Sequence, residues 1–307
     1  MTIAQSTTDQ TGARASTTGA QREPSIESLN SLTAGLIIHR VGQINYGFAD
    51  EARSFARDLQ GYMNVRLNSQ ATTLVYEEIM GSYGRMHWLV HMKDPSDYGR
   101  LLKMVDHDKA FREIYEGDRL PERGGGNWER MFVQGSFREN VMVPQHGFAK
   151  QGLDQIEEDR FVPPARHQLE RGSKDSLNSS PAGILVVRTV QASYEARDLA
   201  RYYLYDWLTH VNRAADGALT ATLFEEIWGC QDRLHVLLHM RSLDDYRLLF
   251  ELESRDAGLR EMMAKPRITI SGQPLGWGRL FQHTSMGDTV LVPLTTEPSP
   301  RGAEASQ

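Results

Sequence analysis

The sequence predicts an α+β fold in which two copies of a βαββαβ unit, joined in tandem, close into one pseudo-dimeric α+β barrel. Three observations carry this. The stretch YEEIMGSYGRMHWLVHMKDPSDY (residues 76–98) returns as FEEIWGCQDRLHVLLHMRSLDDY (224–246) at a constant offset of 148, and self-similarity at a fixed period marks a duplicated structural unit. Each copy passes through strand-like and helix-like patterns in the same order. A four-stranded antiparallel sheet with both helices on one face leaves its other face bare, and two such sheets cover each other.

The elements follow in order. AGLIIHRVGQI (34–44) is a short β-branched run bounded by Gly and Asn, matched by AGILVVRTVQA (182–192), and both read as strands. A helix follows over 49–65, with Phe55, Leu59, Tyr62 and Met63 at helical spacing, and its counterpart covers 194–211, with Leu199, Tyr202, Tyr203 and Leu208. Matching Glu51 to Glu195 lowers the offset to 144 here. That implies four extra residues before the helix in copy one and four after it in copy two, as loops allow. Strands 73–80 and 85–93, repeated at 222–228 and 233–241, join through Gly81-Ser82-Tyr83-Gly84, a hairpin connection. A second helix covers 95–116 and 242–264, with Asp97 and Asp245 in its first turn, where a carboxylate complements the helix dipole. A last strand carries Trp128, Arg130 and Phe132, repeated as Trp277, Arg279 and Phe281, and ends in VMVP (141–144) and VLVP (290–293). This is the ferredoxin-like order.

The chain then divides into a disordered segment (1–30), a first repeat (31–144), a linker (145–181), a second repeat (182–294) and a disordered tail (295–307). The terminal segments carry too little apolar surface to offset ordering entropy. The linker is polar around Pro163-Pro164, with Phe161 and Val162 packing locally, and is long enough to let the second copy fold back on the first. Across 307 residues, 40% apolar and 24% charged content is that of a soluble globular protein. A net charge of −6 with no basic stripe argues against nucleic acid as a partner. The single cysteine, Cys230, excludes an internal disulfide and a cysteine zinc site and fits a reducing cytoplasm. No apolar run suits a signal peptide or a bilayer span, so no membrane partner is expected.

The element order and the hairpin stretch GRMHWLVHMKDPSDY (84–98) give each half a resemblance to the dimeric α+β-barrel superfamily. That group includes antibiotic-biosynthesis monooxygenases, NIPSNAP-type proteins, small polyketide cyclases and muconolactone isomerases. The likeness covers about 34–144 and 182–293. It implies a small-molecule enzyme of secondary metabolism, most simply a cofactor-independent monooxygenase acting on an aromatic or polyketide-like metabolite. In such enzymes the protein deprotonates a phenolic or enolic substrate, and the anion reacts with oxygen.

The hairpin places candidate residues. If Gly81 pairs with Gly84, Glu78 faces His87 and Tyr76 faces Leu89; likewise Glu226 faces His235 and Phe224 faces Leu237. Period 2 puts His87, Leu89 and His91 on one face and the apolar Met86, Trp88, Val90 and Met92 on the other, under the helices. The expected cavity between the sheets then receives His87, His91 and Glu78 with Tyr76 and Met80 from copy one, and His235, His239 and Glu226 with Phe224 and Trp228 from copy two. A carboxylate fixes the tautomer and orientation of a neighbouring imidazole, which can then transfer a proton. Under the resemblance, His87 or His235 is the base, Glu78 or Glu226 its orienting partner, and Arg130 or Arg279 a substrate contact. Copy one keeps the more polar set, since His39 becomes Val187, Tyr76 becomes Phe224 and Met80 becomes Trp228, which would close the second half.

Other readings stay open. The same pairs could be satisfied polar groups filling a barrel, and Arg130 and Arg279 could form edge salt bridges. No cofactor is expected, but haem, a divalent metal or flavin is left open. Two histidines four residues apart on a strand stand about 13 Å apart, too far to share a metal, so no ligand set is assigned; a metal would need His87 with Glu78. A polyketide cyclase or isomerase, a haem or metal enzyme, and a non-catalytic carrier of hydrophobic ligands are the alternatives. A homodimer is also left open.

Overall fold

The computed structural model describes residues 28–146, 161–170, 176–270 and 273–294. The segments expected to be disordered fall almost wholly outside these residues, as does much of the linker. The first half runs β1 (Leu36–Gln43), α1 (Ala49–Arg66), β2 (Ala71–Met80), β3 (Arg85–Met92), α2 (Ser96–His107), α3 (Lys109–Glu116), α4 (Trp128–Met131) and β4 (Arg138–Pro144). The second runs β5 (Ile184–Gln191), α5 (Arg197–Ala214), β6 (Leu219–Trp228), β7 (Arg233–Met240), α6 (Leu243–Arg255), α7 (Ala257–Ala264), β8 (Ile268–Ile270), β9 (Gln273–Leu275) and β10 (Gly287–Pro293).

Eight strands close into a barrel in the order β1-β3-β2-β10-β5-β7-β6-β4, which leaves the sheet no free edge. The halves are sewn together by each other's last strand: β4 pairs with β1 and with β6, and β10 pairs with β5 and with β2. Helices pack on the outside. The outer face of the first half buries Leu36, Ile38, Met86, Trp88 and Met92 against Phe55, Leu59 and Met63 of α1. The apolar face of the hairpin therefore does lie under the helices.

Four sequence expectations need correction. The second helix is broken in both halves, because Asp108 and Asp256 turn extended and cap a new helix: Asp108 accepts from the amides of Ala110 and Phe111, and Asp256 from that of Leu259. An N-cap carboxylate satisfies orphan amides that a continuous helix would not expose. Second, Trp128, Arg130 and Phe132 do not form the last strand. Asn127 caps the short α4, Phe132 makes only a bridge to Ile44, and Trp277–Arg279 is a 3-10 turn. The true last strands are β4 and β10.

Third, the offset does not drop at the first helix. Arg53 bonds Glu77 just as Arg201 bonds Glu225, and the Asn64 amide side chain ties down Thr73 as Asn212 ties down Ala221. These pairs align α1 with α5 at 148; Leu59 therefore matches Trp207. The buried face of α5 is Ala200, Tyr203, Leu204, Trp207, Leu208 and Val211, while Leu199 and Tyr202 point outward.

Fourth, the hairpin register is shifted by two. Tyr76 faces His87 and Leu74 faces Leu89, with Phe224 facing His235 in the second half. A two-residue shift preserves which face each side chain occupies. The loop after Glu78 is why the carboxylate still reaches His87: Gly81 and Gly229, at φ of 129° and 149°, fold the chain over it. A Cβ on Gly81 would collide with the Glu78 carboxylate. Gly81→Ala is expected to cost about 1–3 kcal/mol, read as a shifted urea midpoint.

From the linker, Val162 packs in the first-half core whereas Phe161 is exposed. Gln168 caps the β6 edge, its side chain donating to the carbonyls of Gln145 and Leu223 and accepting from the Leu223 amide.

Candidate functional site

The barrel interior is layered. At the end near the β2–β3 and β6–β7 hairpins, His87 Nε2 donates to Glu78 Oε2 at 3.1 Å, and His87 Nδ1 lies 2.9 Å from His39 Nε2. In the second half His235 Nε2 donates to Glu226 Oε2 at 3.2 Å, Asn140 donates to the same oxygen at 3.2 Å, and Thr189 Oγ1 is 3.0 Å from His235 Nδ1. A carboxylate accepts only, so it fixes the tautomer of each imidazole. Burial alone would raise Glu78, but His87, the Ser82 amide and Arg85 hold it below the usual carboxyl range; His235, the Cys230 amide and Arg233 do the same for Glu226. Burial, reinforced by His87 and His235, lowers His39 well below an ordinary imidazole.

The middle layer is apolar: Ile37, Leu89, Leu185, Phe224, Leu237 and Leu291 are fully buried. At the far end two serines 148 residues apart clasp each other, the Ser31 amide donating to Ser179 Oγ at 3.0 Å and the Ser179 amide to Ser31 Oγ at 3.1 Å. Each hydroxyl then donates to a histidine of the opposite half, Ser31 to His239 Nε2 and Ser179 to His91 Nε2, both at 2.9 Å. Those rings donate through Nδ1 to the carbonyls of Thr220 and Thr72. Burial lowers His91 to about 4 and His239 to about 3, with His91 adding to the latter. Tyr76 donates its hydroxyl to the Ser179 carbonyl at 2.7 Å.

The expected His–Glu pairs are thus together, but the expectation that they line a hollow cavity needs correction. Glu78, His87, Glu226 and His235 are each no more than 5% exposed, and the layer beneath them is packed. His91 and His239 sit apart from the glutamates, at the other end. Met80 and Trp228 are 49% and 57% exposed at the strand ends and do not enter the barrel. Arg130 and Arg279 are exposed on the outer connections; Arg130 donates to the carbonyls of Gly125 and Arg123 and lies over Phe48. Among the described residues, no group of three or more His, Cys, Asp or Glu is arranged to hold a metal.

A cavity of about 660 Å³ lies on the opposite side of the same sheet, between the first-half strands and helices α1 to α4. Its floor includes Ile38, Arg40, Trp88 and Val90; Leu59 and Met63 form a wall; Tyr98, Leu101, Val105, Phe111 and Tyr115 form the roof. Its volume falls in the range of small-molecule sites, which are mostly apolar with a few placed polar groups. Those groups are present. Arg40 Nη2 contacts Glu139 Oε2 at 3.0 Å beside the cavity. Burial raises the Tyr115 hydroxyl, and Arg40 opposes that rise. The Trp88 ring contributes to the floor, while its indole Nε1 is buried away from the open space without a hydrogen-bond partner. The lining includes no histidine or cysteine. At the position of Leu59 the second half has Trp207, which is buried and lies against Arg188.

Sequence reasoning missed Arg40, Trp88, Glu139 and the two serines. Extending the repeat by four residues would have shown NSLTAG (30–35) matching NSSPAG (178–183), and Arg40 matches Arg188 inside strands already aligned.

A family model, described as "Family of unknown function (DUF6039)", matches residues 5–299. The chain belongs to this family. No curated protein matches this DUF6039 member. Among solved structures, a protein provisionally named a monooxygenase from Fusobacterium nucleatum superposes with a TM-score of 0.52 at 7% identity, over 86% of this chain and 94% of that one. A similarly named protein from Lactobacillus acidophilus NCFM gives 0.50 at 7% identity, over 85% and 95%. The likeness shows a shared α+β-barrel fold, the fold that the hairpin and element order resemble. No helix among the described residues is long and apolar enough to cross a membrane.

Proposed function

We propose that this DUF6039 protein is a small-molecule oxidoreductase of the monooxygenase type, binding a hydrophobic aromatic substrate in the first-half pocket. The observation that carries the reading is a cavity of ligand size walled by apolar side chains, with the Arg40–Glu139 pair in its lining. The strand orders β4-β1-β3-β2 and β10-β5-β7-β6 support reading each half as a ferredoxin-like repeat. In the first half the pocket occupies the space between sheet and helices. Secondary metabolism of aromatic or polyketide-like compounds is the setting that fits such a substrate.

In this scheme a phenolic or enolic substrate transfers its proton to Glu139, and Arg40 steadies the oxyanion. The electron-rich carbon combines with O2; one oxygen atom stays on carbon and the other leaves as water with two substrate hydrogens. No cofactor enters this balance. The Glu78–His87 and Glu226–His235 pairs each tie together the two strands of one hairpin and do not act as the base, since the strands separate them from the pocket.

Arg40→Met keeps the apolar stem and deletes the guanidinium that lines the cavity. It is expected to weaken substrate binding about tenfold, the worth of one charge-assisted hydrogen bond, measured by titrating phenolic polycycles while following oxygen uptake. Unchanged affinity and uptake would overturn the pocket assignment. Product formed equally under anaerobic conditions would move the reaction to cyclisation or isomerisation.

A further inference from the structure

The duplication supplies an internal template for the pocket's ligand. Arg188 is the counterpart of Arg40, and Asp288 stands opposite it in β10 as Glu139 stands opposite Arg40 in β4. Arg188 is saturated by its own half. It holds Asp288 through two contacts of 2.8 and 2.9 Å, holds Glu253 at 3.1 Å, and lies 5.2 Å from the centre of the Trp207 ring. The residues at the positions of Glu253 and Trp207 in the first half are Val105 and Leu59, both lining the cavity. Arg40 therefore has one carboxylate and the Tyr115 hydroxyl beside it, where Arg188 has two carboxylates and the Trp207 ring. Its side chain is 42% exposed against 12% for Arg188.

We propose that the first-half pocket takes a planar aromatic carboxylate, its carboxylate on Arg40 and its rings beside Leu59. These are the two places that the second half fills with Glu253 and Trp207. A guanidinium binds a carboxylate through parallel N–H donors and stacks on an aromatic face, and one ligand carrying both groups satisfies both vacancies. Of the remaining charges around the cavity, Arg112 is paired with Glu116, Arg138 donates to the carbonyls of Gly135 and Phe137, and the Glu129 carboxylate is exposed to solvent, which screens its repulsion. The second half shows that an arginine flanked by two carboxylates is a stable arrangement in this fold. The proposal rests on the reading of the pocket as the substrate site and names the chemical class that site accepts.

The experiment is calorimetric titration of the full chain with 2-naphthoate and with the neutral, isosteric 2-naphthamide. The expected result is one naphthoate per chain, bound at least tenfold more tightly than the amide. Val105→Glu supplies the first half with its own internal carboxylate and should abolish that preference while the amide still binds. Trp207→Leu combined with Glu253→Val should open the second half and raise naphthoate stoichiometry to two. Equal binding of acid and amide, or a preference that survives Val105→Glu in a variant with native near-ultraviolet circular dichroism, overturns the proposal and leaves the pocket itself standing. Binding of neither compound overturns both.

Discussion

Lowering the pH from 7 to 4 is expected to remove on the order of 6 kcal/mol of stability through two histidines alone, enough to unfold a domain of ordinary stability. His91 and His239 are fully buried at the serine clasp, and burial lowers them to about 4 and about 3. In the unfolded chain an imidazole takes its proton near pH 6.5. The native state favours the neutral rings, which the hydrogen bonds require: each Nε2 accepts from a serine hydroxyl, and a protonated ring could not. The stabilisation is therefore whole above about pH 6.5, falls as the unfolded state gains protons first, and is spent once the pH passes below the native values. His39, lowered by burial and by His87 and His235, adds to the same slope. Urea midpoints at pH 7, 6, 5 and 4 measure it. A double variant with His91→Gln and His239→Gln should show a flatter dependence between pH 6.5 and 5. An unchanged slope would mean that the clasp does not hold neutral imidazoles.

How far the sequence could be read depends on whether a feature is periodic or volumetric. The β2–β3 hairpin was legible because His87, Leu89 and His91 alternate with Met86, Trp88 and Val90. Face assignment survived a register error of two because strand parity survives it. The last strand was misplaced because Trp128, Arg130 and Phe132 alternate like a strand, while in fact Asn127 starts a helical turn that sends Met131 inward. Asp108 hid a helix break inside a run with good helical spacing, since a cap is one residue and a period is many. The pocket was not legible at all. A cavity is the difference between what packs and what is missing, and it depends on Leu59 rather than Trp and Val105 rather than Glu at positions brought together from separate helices. Matching Glu51 to Glu195 had paired Leu59 with the wrong residue, so the one comparison that exposes the asymmetry was out of reach.

The second large expected effect separates the two faces of the sheet. Glu78→Leu leaves the His87 Nε2–H and the Ser82 amide without their acceptor in a buried layer, and removing one member of such a pair costs about 3–5 kcal/mol. Its melting temperature should fall sharply, yet turnover per folded molecule at a permissive temperature should stay within about twofold, because no part of the pocket has moved. Leu59→Trp should do the reverse. The fold already carries that residue at the matching position 207, buried at 3% exposure, so a tryptophan at 59 enters open space rather than a packed core and the overpacking penalty of about 1–3 kcal/mol does not arise. Its melting temperature should match that of the native chain or exceed it, while binding and oxygen uptake fall by about two orders of magnitude or more. Thermal melts and uptake rates on the two variants are sufficient to decide. If Glu78→Leu kept its stability and lost turnover, the chemistry would belong to the barrel interior. If Leu59→Trp kept its turnover, the pocket would be a packing defect rather than a site. Opposite responses from residues on opposite faces of one sheet are what a structural interior and a functional exterior require.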